Sequence, residues 1–173
     1  MPSLLNDDSL RYMAELASAC PPGAFVEVGV YQGGSAAVLA DVAEQQGRSL
    51  YLYDTFTGIP MYEPANGDSH RVGDFSDTSL EAVRALVPKA VILPGLFPDT
   101  LVDMGPIAFA HIDADQYRSV KDSIASLWPQ IVPGGAMLFD DYKCLDGATR
   151  AVDEAFGYDL PVTKNGKAYA IKG

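Results

Sequence analysis

The sequence predicts an α/β fold with a mainly parallel sheet, because short apolar runs alternate with amphipathic, helix-like segments along the chain. The apolar run at 24–30 is rich in Val, as expected of a strand that is buried on both faces. Near the end of the chain, Asn165-Gly166 separates two short β-prone runs, which is the strongest short-range signal for a hairpin. The sheet is therefore expected to end in an antiparallel pair of strands.

The individual elements follow from hydrophobic periodicity and from residues that begin or end helices. Helices are predicted at 9–19, 35–46, 78–87, 117–128 and 147–156. Strands are predicted at 24–30, 50–53, 90–93, 107–112, 136–139, 160–164 and 167–171. Gly47 and Gly157 are expected to stop two helices, and Pro133-Gly134-Gly135 is expected to turn the chain into the fifth strand.

Side chains at the helix starts give further expectations. Thr78 and Glu81 have the spacing of a capping box, so Thr78 is expected to begin the third helix. Asp115 and Asp146 precede two other helices and are expected to act as N-caps. The polar segment 58–77 is longer than an ordinary connection, and such loops in compact domains are usually functional or mobile.

Composition narrows the classes of function. A length of 173 residues suits one domain with a substantial core. The net charge is −11 and the twelve basic residues form no run, which argues against nucleic acid and against an anionic membrane surface as partners. No segment has the pattern of a secretory signal or a membrane span. Cys20 and Cys144 fit no metal or redox spacing, so we expect reduced thiols and a cytoplasmic location.

A glycine-rich turn follows the first predicted strand, with the sequence Glu27-Val28-Gly29-Val30-Tyr31-Gln32-Gly33-Gly34-Ser35. The dinucleotide fingerprint requires glycine where Tyr31 stands, and a side chain there would crowd a pyrophosphate. Gly29 and Gly33, with Glu27 before them, suit a zwitterionic ligand without phosphate, whose ammonium group Glu27 would meet directly or through water. A glycine turn without any ligand is the alternative reading of the glycines alone.

The second predicted strand adds to the case for a ligand. It ends in Tyr53-Asp54, about 20–25 residues beyond the glycines, where an acid can hold the hydroxyl groups of a ribose. Phe56 follows and is expected to pack against an adenine ring.

Two more strand ends carry an unusual density of acids. The fourth ends in His111-Ile112-Asp113-Ala114-Asp115 and the fifth in Phe139-Asp140-Asp141-Tyr142. These acids should converge, because the carboxyl ends of parallel strands share one edge of the sheet. Bringing these like charges together raises the pKa of some of the acids unless a cation neutralises them, and oxygen ligands favour Mg²⁺ or Ca²⁺ over zinc. The alternative is a set of exposed loop acids and helix caps. His111 is interpreted as a core histidine, and His70 as a candidate contact for the acceptor.

Taken together, these motifs make the sequence resemble the macrocin O-methyltransferase family, whose members methylate sugar hydroxyls on antibiotics and related molecules. The resemblance extends from about residue 24 to 156. The matching stretches, in chain order, are 25–36 (FVEVGVYQGGSA), 53–60 (YDTFTGIP), 70–78 (HRVGDFSDT), 95–100 (GLFPDT), 111–119 (HIDADQYRS) and 134–142 (GGAMLFDDY).

The resemblance implies a class I methyltransferase (Rossmann-like) fold, with a mostly parallel seven-stranded sheet and a C-terminal antiparallel hairpin. It implies S-adenosylmethionine as cofactor, with a binding site built from Glu27, Gly29, Tyr31, Gly33, Ser35, Asp54, Thr55, Phe56 and Asp113. It also implies a Mg²⁺ ion held by Asp113, Asp140 and Asp141, with Asp113 as general base. The segment 73–76 is expected to border the cofactor or the acceptor, a small hydroxylated molecule.

Three alternatives remain open. A catechol-type O-methyltransferase also gathers acids at these strand ends, but typically has Asn where this chain has Asp141. A non-catalytic S-adenosylmethionine-binding module is a second alternative, and a nicotinamide dehydrogenase ranks last because of Tyr31. Family members usually carry an N-terminal extension that helps to cover the acceptor, whereas about twenty residues precede the first strand here. We therefore expect a site that is more open, that is completed by another chain in a homo-oligomer, or that serves a different alcohol.

Overall fold

Helices and strands alternate along the chain in the computed structural model, which describes residues 5–163 and 166–173. The helices are α1 (Asp7–Ala19), α2 (Gly34–Gln46), α3 (Leu80–Leu86), α4 (Tyr117–Leu127) and α5 (Asp146–Phe156). The strands are β1 (Ala24–Val28), β2 (Leu50–Asp54), β3 (Val91–Pro94), β4 (Ile107–Ile112), β5 (Ile131–Phe139) and β6 (Ala168–Ile171). Single 3₁₀ turns lie at Pro64–Asn66 and Trp128–Gln130.

The strands form one sheet in the order β3-β2-β1-β4-β5-β6. Neighbours from β3 through β5 are parallel, and β6 is antiparallel to β5. This confirms the predicted α/β class, the mostly parallel sheet and its antiparallel end. Strand order reverses between β1 and β4, and ligands of parallel α/β proteins bind beyond the carboxyl ends of the strands at such a reversal.

Apolar side chains cover both faces of the sheet. On one face, residues of α1, α2 and α3 pack with Phe25, Leu52 and Phe109 of the strands. On the other face, α4 and α5 pack with Val26 and Met137. Burial on both faces accounts for the nearly continuous apolar runs in the strand sequences. Within the ranges that the structure describes, no helix is long and apolar enough to cross a membrane.

The end of the sheet differs from the prediction in its number of strands, since the described residues form six rather than seven. The predicted strand at 160–164 makes one isolated bridge, between Val162 and Ala168. Pro161 accepts a hydrogen bond from the Tyr169 N–H at 3.1 Å but has no N–H to donate, which interrupts regular pairing. Lys164 and Asn165 of the predicted hairpin lie outside the described residues.

The start of β5 also differs from the prediction. The strand begins at Ile131 and includes Pro133-Gly134-Gly135, which was expected to form a turn before it. The pairing with β4 shifts between Ile131 and Ala136, which marks a bulge. Gly134 and Gly135 still pair with the end of β6, because the Gly134 N–H donates to the Lys172 carbonyl at 2.8 Å and the Gly135 carbonyl accepts from the Lys172 N–H at 2.8 Å.

The predicted helix caps were wrong in three cases. Ser79, not Thr78, is the N-cap of α3, and its hydroxyl accepts from the Ala82 N–H at 3.3 Å. The Thr78 hydroxyl instead donates to the carbonyl of Tyr31.

At α4 and α5 the expected aspartates do not act as caps either. The Tyr117 N–H at the start of α4 donates to Asp68 of the long loop at 2.8 Å, a tertiary contact that replaces the expected local cap from Asp115. Asp146 is the first residue of α5, and Leu145 is its N-cap. The partner of α4, Asp68, is not encoded in the local sequence around the start of that helix.

Backbone hydrogen bonds extend the parallel pairing just beyond the strands. The Gly29 N–H donates to the Tyr53 carbonyl at 2.9 Å, and the Asp113 N–H donates to the Val28 carbonyl at 2.9 Å. The Asp140 N–H donates to the Ile112 carbonyl at 3.0 Å. The residues that follow β1, β4 and β5 are therefore held at one edge of the sheet.

Replacing Gly29 with alanine should destabilise the protein strongly. Gly29 has a φ of +89°, and an added Cβ would collide with the backbone carbonyl of Asp113. Gly73 is a matched control, because its φ is +87° but an added Cβ there meets nothing within 4 Å. We expect Gly73→Ala to cost about 1 kcal/mol from backbone strain and Gly29→Ala about 3 kcal/mol or more in urea unfolding. Equal losses for the two variants would contradict the close approach of β1 and β4.

Candidate active site

Asp54 fixes the glycine-rich turn after β1. Its Oδ2 accepts hydrogen bonds from the backbone N–H groups of Val30 at 2.7 Å and Tyr31 at 2.9 Å. Its Oδ1 accepts from the Phe56 N–H at 2.7 Å, so one carboxylate organises the ends of both β1 and β2. Charged acceptors make strong hydrogen bonds to backbone donors. Asp54 therefore shapes the turn in addition to facing the space beyond it.

An open cleft of about 260 Å³ lies beyond the carboxyl ends of the strands. Its wall includes most of the residues that sequence analysis assigned to the cofactor or the metal, namely Gly29, Tyr31, Ser35, Asp54, Thr55, Asp113, Asp140 and Asp141. The structure thus brings together residues that are more than 100 positions apart in the chain. The cleft lies at the reversal of strand order, where the fold places ligand sites.

Three of the expected cofactor residues, Glu27, Gly33 and Phe56, are not part of the described cleft wall. Gly33 is the N-cap of α2, with a φ of +84°. Phe56 packs with the core on the α1–α3 face of the sheet, and its expected contact with an adenine stays a prediction. The cleft wall contains Gly95, Leu96 and Phe97 instead. This segment belongs to one of the stretches that resemble the family, but no sequence motif assigns a role to these three residues.

Glu27 is fully buried beside His111. Its Oε1 lies 2.8 Å from Nδ1 of His111, and both side chains are inaccessible to solvent. No hydrogen-bond partner is found for Glu27 Oε2 within the part of the chain that the structure describes. Glu27 is thus not part of the described cleft wall, and its expected contact with a ligand ammonium group, directly or through water, stays a prediction.

Four carboxylates, those of Asp113, Asp115, Asp140 and Asp141, meet at one end of the cleft. Single ligand atoms of Asp113, Asp140 and His111 all lie within 4.8 Å of one another, which is close enough to share a metal ion. Asp141 lies alongside this group, and its Oδ2 accepts from the Asp115 N–H at 3.1 Å. The geometric cluster therefore differs from the expected set by including His111 in place of Asp141.

Crowding raises the affinity of these carboxyl groups for protons. Burial raises the pKa of Asp113 well above its ordinary value, and the charges of Asp140 and Asp141 raise it further. Burial and the same two neighbours raise the pKa of Asp115 to about 8. Burial and Asp140 raise the pKa of Asp141 to about 6. Each of these carboxyl groups therefore keeps its proton to a higher pH than an ordinary aspartate does.

Asp140 is the exception, because two cations lie beside it. Burial alone would raise its pKa, but the neighbouring His111 and Lys167 lower it below the ordinary value. The Lys167 Nζ lies 2.6 Å from Asp140 Oδ2, and the His111 Nε2 lies 3.9 Å from Oδ1. Burial alone would lower the pKa of His111, but Asp140 and Glu27 raise it to about 10. His111 is a buried histidine of the core, as expected, and its two carboxylate neighbours favour its protonated form.

The long loop at 58–77 is fastened to the rest of the domain by two buried side chains. Gln116 donates to the carbonyls of Met61 at 3.1 Å and His70 at 2.7 Å. Asp68 accepts from the Glu63 N–H at 2.9 Å in addition to its contact at the start of α4. Sequence analysis missed both residues, because their partners are distant in the chain.

His70 lies near the acidic end of the cleft but is not part of the described wall. Its Nε2 lies 3.8 Å from the Asp115 carboxylate, and its ring packs edge-on against Phe75 at 4.9 Å between centroids. Phe75 itself lines the cleft, so one residue of the segment 73–76 does border the site. A contact between His70 and an acceptor remains a prediction.

Asp115 gives a test of the crowding. An acid whose pKa is raised in the fold keeps its proton to a higher pH than in the unfolded chain. The folded state then binds more protons between pH 3.8 and about 8 and loses stability as the pH rises through that window. In EDTA, Asp115→Asn should therefore match the wild type in urea unfolding near pH 4 and exceed it at pH 8.

Asp41→Asn is the control for this measurement, because Asp41 is exposed on α2 and lies outside the cluster. Its difference from the wild type should stay small and nearly constant over the same range of pH. A constant difference for Asp115→Asn as well would contradict the crowding of the carboxylates.

Known proteins match both the sequence and the fold. The chain is 33% identical to an 8-demethyl-8-(2,3-dimethoxy-α-L-rhamnosyl)-tetracenomycin-C 4′-O-methyltransferase of Streptomyces olivaceus, over 95% of this chain and 71% of that protein. It is 31% identical to a demethyldecarbamoylnovobiocin O-methyltransferase of Streptomyces niveus, over 77% of this chain. The chain spans only 58% of the length of that second relative.

Solved structures show the same fold. The O-methyltransferase NovP superposes with a TM-score of 0.86 at 24% identity, over 98% of this chain and 81% of NovP. The calicheamicin methyltransferase CalS11 superposes with a TM-score of 0.76 at 20% identity, over 95% of this chain and 77% of that one. The fold is therefore that of class I O-methyltransferases, as the sequence predicts. The family model for macrocin O-methyltransferases matches residues 8–159, and the chain belongs to this family of S-adenosylmethionine-dependent enzymes.

Proposed function

We propose that the protein transfers a methyl group from S-adenosylmethionine to a hydroxyl group of a sugar or a glycosylated natural product, with the help of Mg²⁺. One observation carries the proposal: the glycine turn held by Asp54 and the carboxylates after β4 and β5 line the same cleft. The relatives named for tetracenomycin and novobiocin intermediates are O-methyltransferases of such compounds, which supports this class of acceptor.

The end of the cleft at β1 and β2 suits the cofactor. The turn presents Gly29 and Tyr31, with Asp54 beneath them and Thr55 beside them. Tyr31 takes the place of the glycine that a pyrophosphate would need, which favours a ligand without phosphate. Structures of similar fold from Bacillus cereus and Streptomyces achromogenes contain S-adenosylhomocysteine and S-adenosylmethionine, respectively.

The acidic end of the cleft suits a divalent cation. Carboxylate oxygens are the ligands that Mg²⁺ prefers, and the repulsion among these acids would be relieved by a cation. Asp113, Asp140 and Asp141 would hold the ion, and His111 would stay behind Asp140 as its buried ion-pair partner. A bound Mg²⁺ would polarise an acceptor hydroxyl and lower its pKa.

Asp113 is assigned as the general base. It follows β4, its backbone is fixed to Val28, and it lies between the glycine turn and the acids after β5. A carboxylate at this position can accept the hydroxyl proton once a bound cation offsets the repulsion from the neighbouring acids. In the reaction the acceptor oxygen bonds to the methyl carbon while the carbon–sulfur bond breaks. The hydroxyl proton passes to Asp113 and S-adenosylhomocysteine leaves.

Calorimetric titration with S-adenosylhomocysteine tests the cofactor assignment. We expect micromolar binding of S-adenosylhomocysteine and no binding of NAD, because Tyr31 occupies the position that a pyrophosphate requires. Asp54→Asn should weaken binding at least tenfold by loosening the turn, an effect of about 1.4 kcal/mol or more. The exposed variant Asp41→Asn should bind like the wild type. Binding of NAD alone would overturn the assignment in favour of a dehydrogenase.

A screen of hydroxylated acceptors, with Mg²⁺ or with EDTA, tests the reaction. Product is expected from a sugar-bearing acceptor and should fall at least tenfold in EDTA. Asp113→Asn and Asp140→Asn should lower turnover about a hundredfold or more, while S-adenosylhomocysteine affinity changes much less. Equal turnover with and without EDTA would exclude the metal role.

The same screen separates the remaining alternatives. Methylation of a catechol, with no activity on any sugar, would favour the catechol-type reaction. Binding of S-adenosylhomocysteine without product from any acceptor would favour a non-catalytic binding module.

A further inference from the structure

Lys167 is placed opposite Asp140 by the register of the last two strands. In the antiparallel pairing of β5 with β6, Phe139 lies across from Ala168. The next pair in that register is Asp140 with Lys167, and residues directly opposite in a sheet project from the same face. The alignment therefore follows from the backbone and does not depend on a chance side-chain conformation.

The contact between the two side chains is close and shielded from solvent. Nζ of Lys167 lies 2.6 Å from Oδ2 of Asp140, with 16% of the lysine side chain and 12% of the aspartate side chain exposed. Both residues line the cleft. Among the residues that the structure describes, Lys167 is the one Lys or Arg on the cleft wall. An ion pair with this little exposure is weakly screened by salt.

Lys167 therefore holds one of the two carboxylate oxygens that Asp140 could offer to a metal ion. Oδ2 of Asp140 holds the ammonium group, while Oδ1 faces His111 at 3.9 Å. A divalent ion that binds Asp140 and Asp113 has to displace the ammonium group or share the carboxylate with it. Two cations on one carboxylate repel each other, so the lysine opposes the metal.

We propose that Lys167 is a built-in counter-ion of Asp140 that competes with the divalent cation and thereby sets the affinity of the site for metal. This inference rests on the proposed metal-assisted function and adds a residue that was not assigned by the sequence motifs. Without metal, Lys167 neutralises part of the acidic cluster and keeps Asp140 in place. When metal binds, its flexible side chain moves aside into the open cleft.

Calorimetry with Mg²⁺, and spin-resonance titration with Mn²⁺, tests the proposal without any turnover measurement. Lys167→Met removes the charge and keeps much of the apolar stem. We expect it to bind both ions roughly tenfold more tightly than the wild type or better, since a close positive charge is gone. Lys167→Arg keeps the charge and should gain no affinity.

Lys172→Met is the matched control. Lys172 follows β6, which Lys167 precedes, and its replacement by Met removes the same charge. Its Nζ donates to the Trp128 carbonyl at 3.2 Å, away from the acids. Metal affinity that rises equally in Lys172→Met and Lys167→Met would reflect net charge alone and would overturn the proposal. The proposal would also be overturned if Lys167→Met bound metal no better than the wild type, whether both proteins bind metal or neither does.

Thermal unfolding and S-adenosylhomocysteine binding complete the test. Lys167→Met should melt at a lower temperature than the wild type in EDTA and should be stabilised more by added Mg²⁺. Its affinity for S-adenosylhomocysteine should stay near the wild-type value, because Lys167 contacts the acidic end of the cleft. A wild-type protein that does not bind S-adenosylhomocysteine would contradict the proposed function. The proposal about Lys167 is tested separately, by the metal titrations.

Discussion

Repulsion among the aspartates that follow β4 and β5 is the constraint on which the rest of the site depends. Parallel pairing forces their backbones to one edge of the sheet, so the acids cannot avoid one another. Part of this repulsion is offset by two positively charged side chains, those of His111 and Lys167, which both lie beside Asp140. The remaining crowding appears as raised pKa values at Asp113, Asp115 and Asp141. A bound cation would relieve the repulsion that remains.

At the end of the cleft proposed for the cofactor, attraction between a carboxylate and backbone N–H groups organises the structure instead of repulsion. There one carboxylate, Asp54, is satisfied by three backbone N–H groups from the ends of β1 and β2. Gly29 allows the turn to pass against the Asp113 carbonyl, where any side chain would collide. The same close approach that brings the turn to β4 also places Asp113, the proposed general base, next to the turn that is proposed to hold the cofactor. Under the proposed function, folding and catalysis depend on the same contact.

Buried polar side chains hold the walls of the cleft in place. Glu27 and His111 form an ion pair in the interior, where unpaired charges are unfavourable. Gln116 and Asp68 hold the long loop against α4 and the cleft, so the loop is part of the domain and not a loose connection. These residues act on the site by positioning its walls. They explain why the loop can have irregular sequence and still occupy a defined place.

The sequence by itself determined the α/β class, the parallel order of the core and the acids that meet at its edge. Those features depend on local hydrophobic periodicity and on the rule that parallel strands end together. Only the tertiary structure decided the pairing of Lys167 with Asp140, the charge of His111, the burial of Glu27 and the cap that Asp68 supplies to α4. Each of these joins residues more than 25 positions apart. Strand register and burial fix such contacts, and neither is written in a short stretch of sequence.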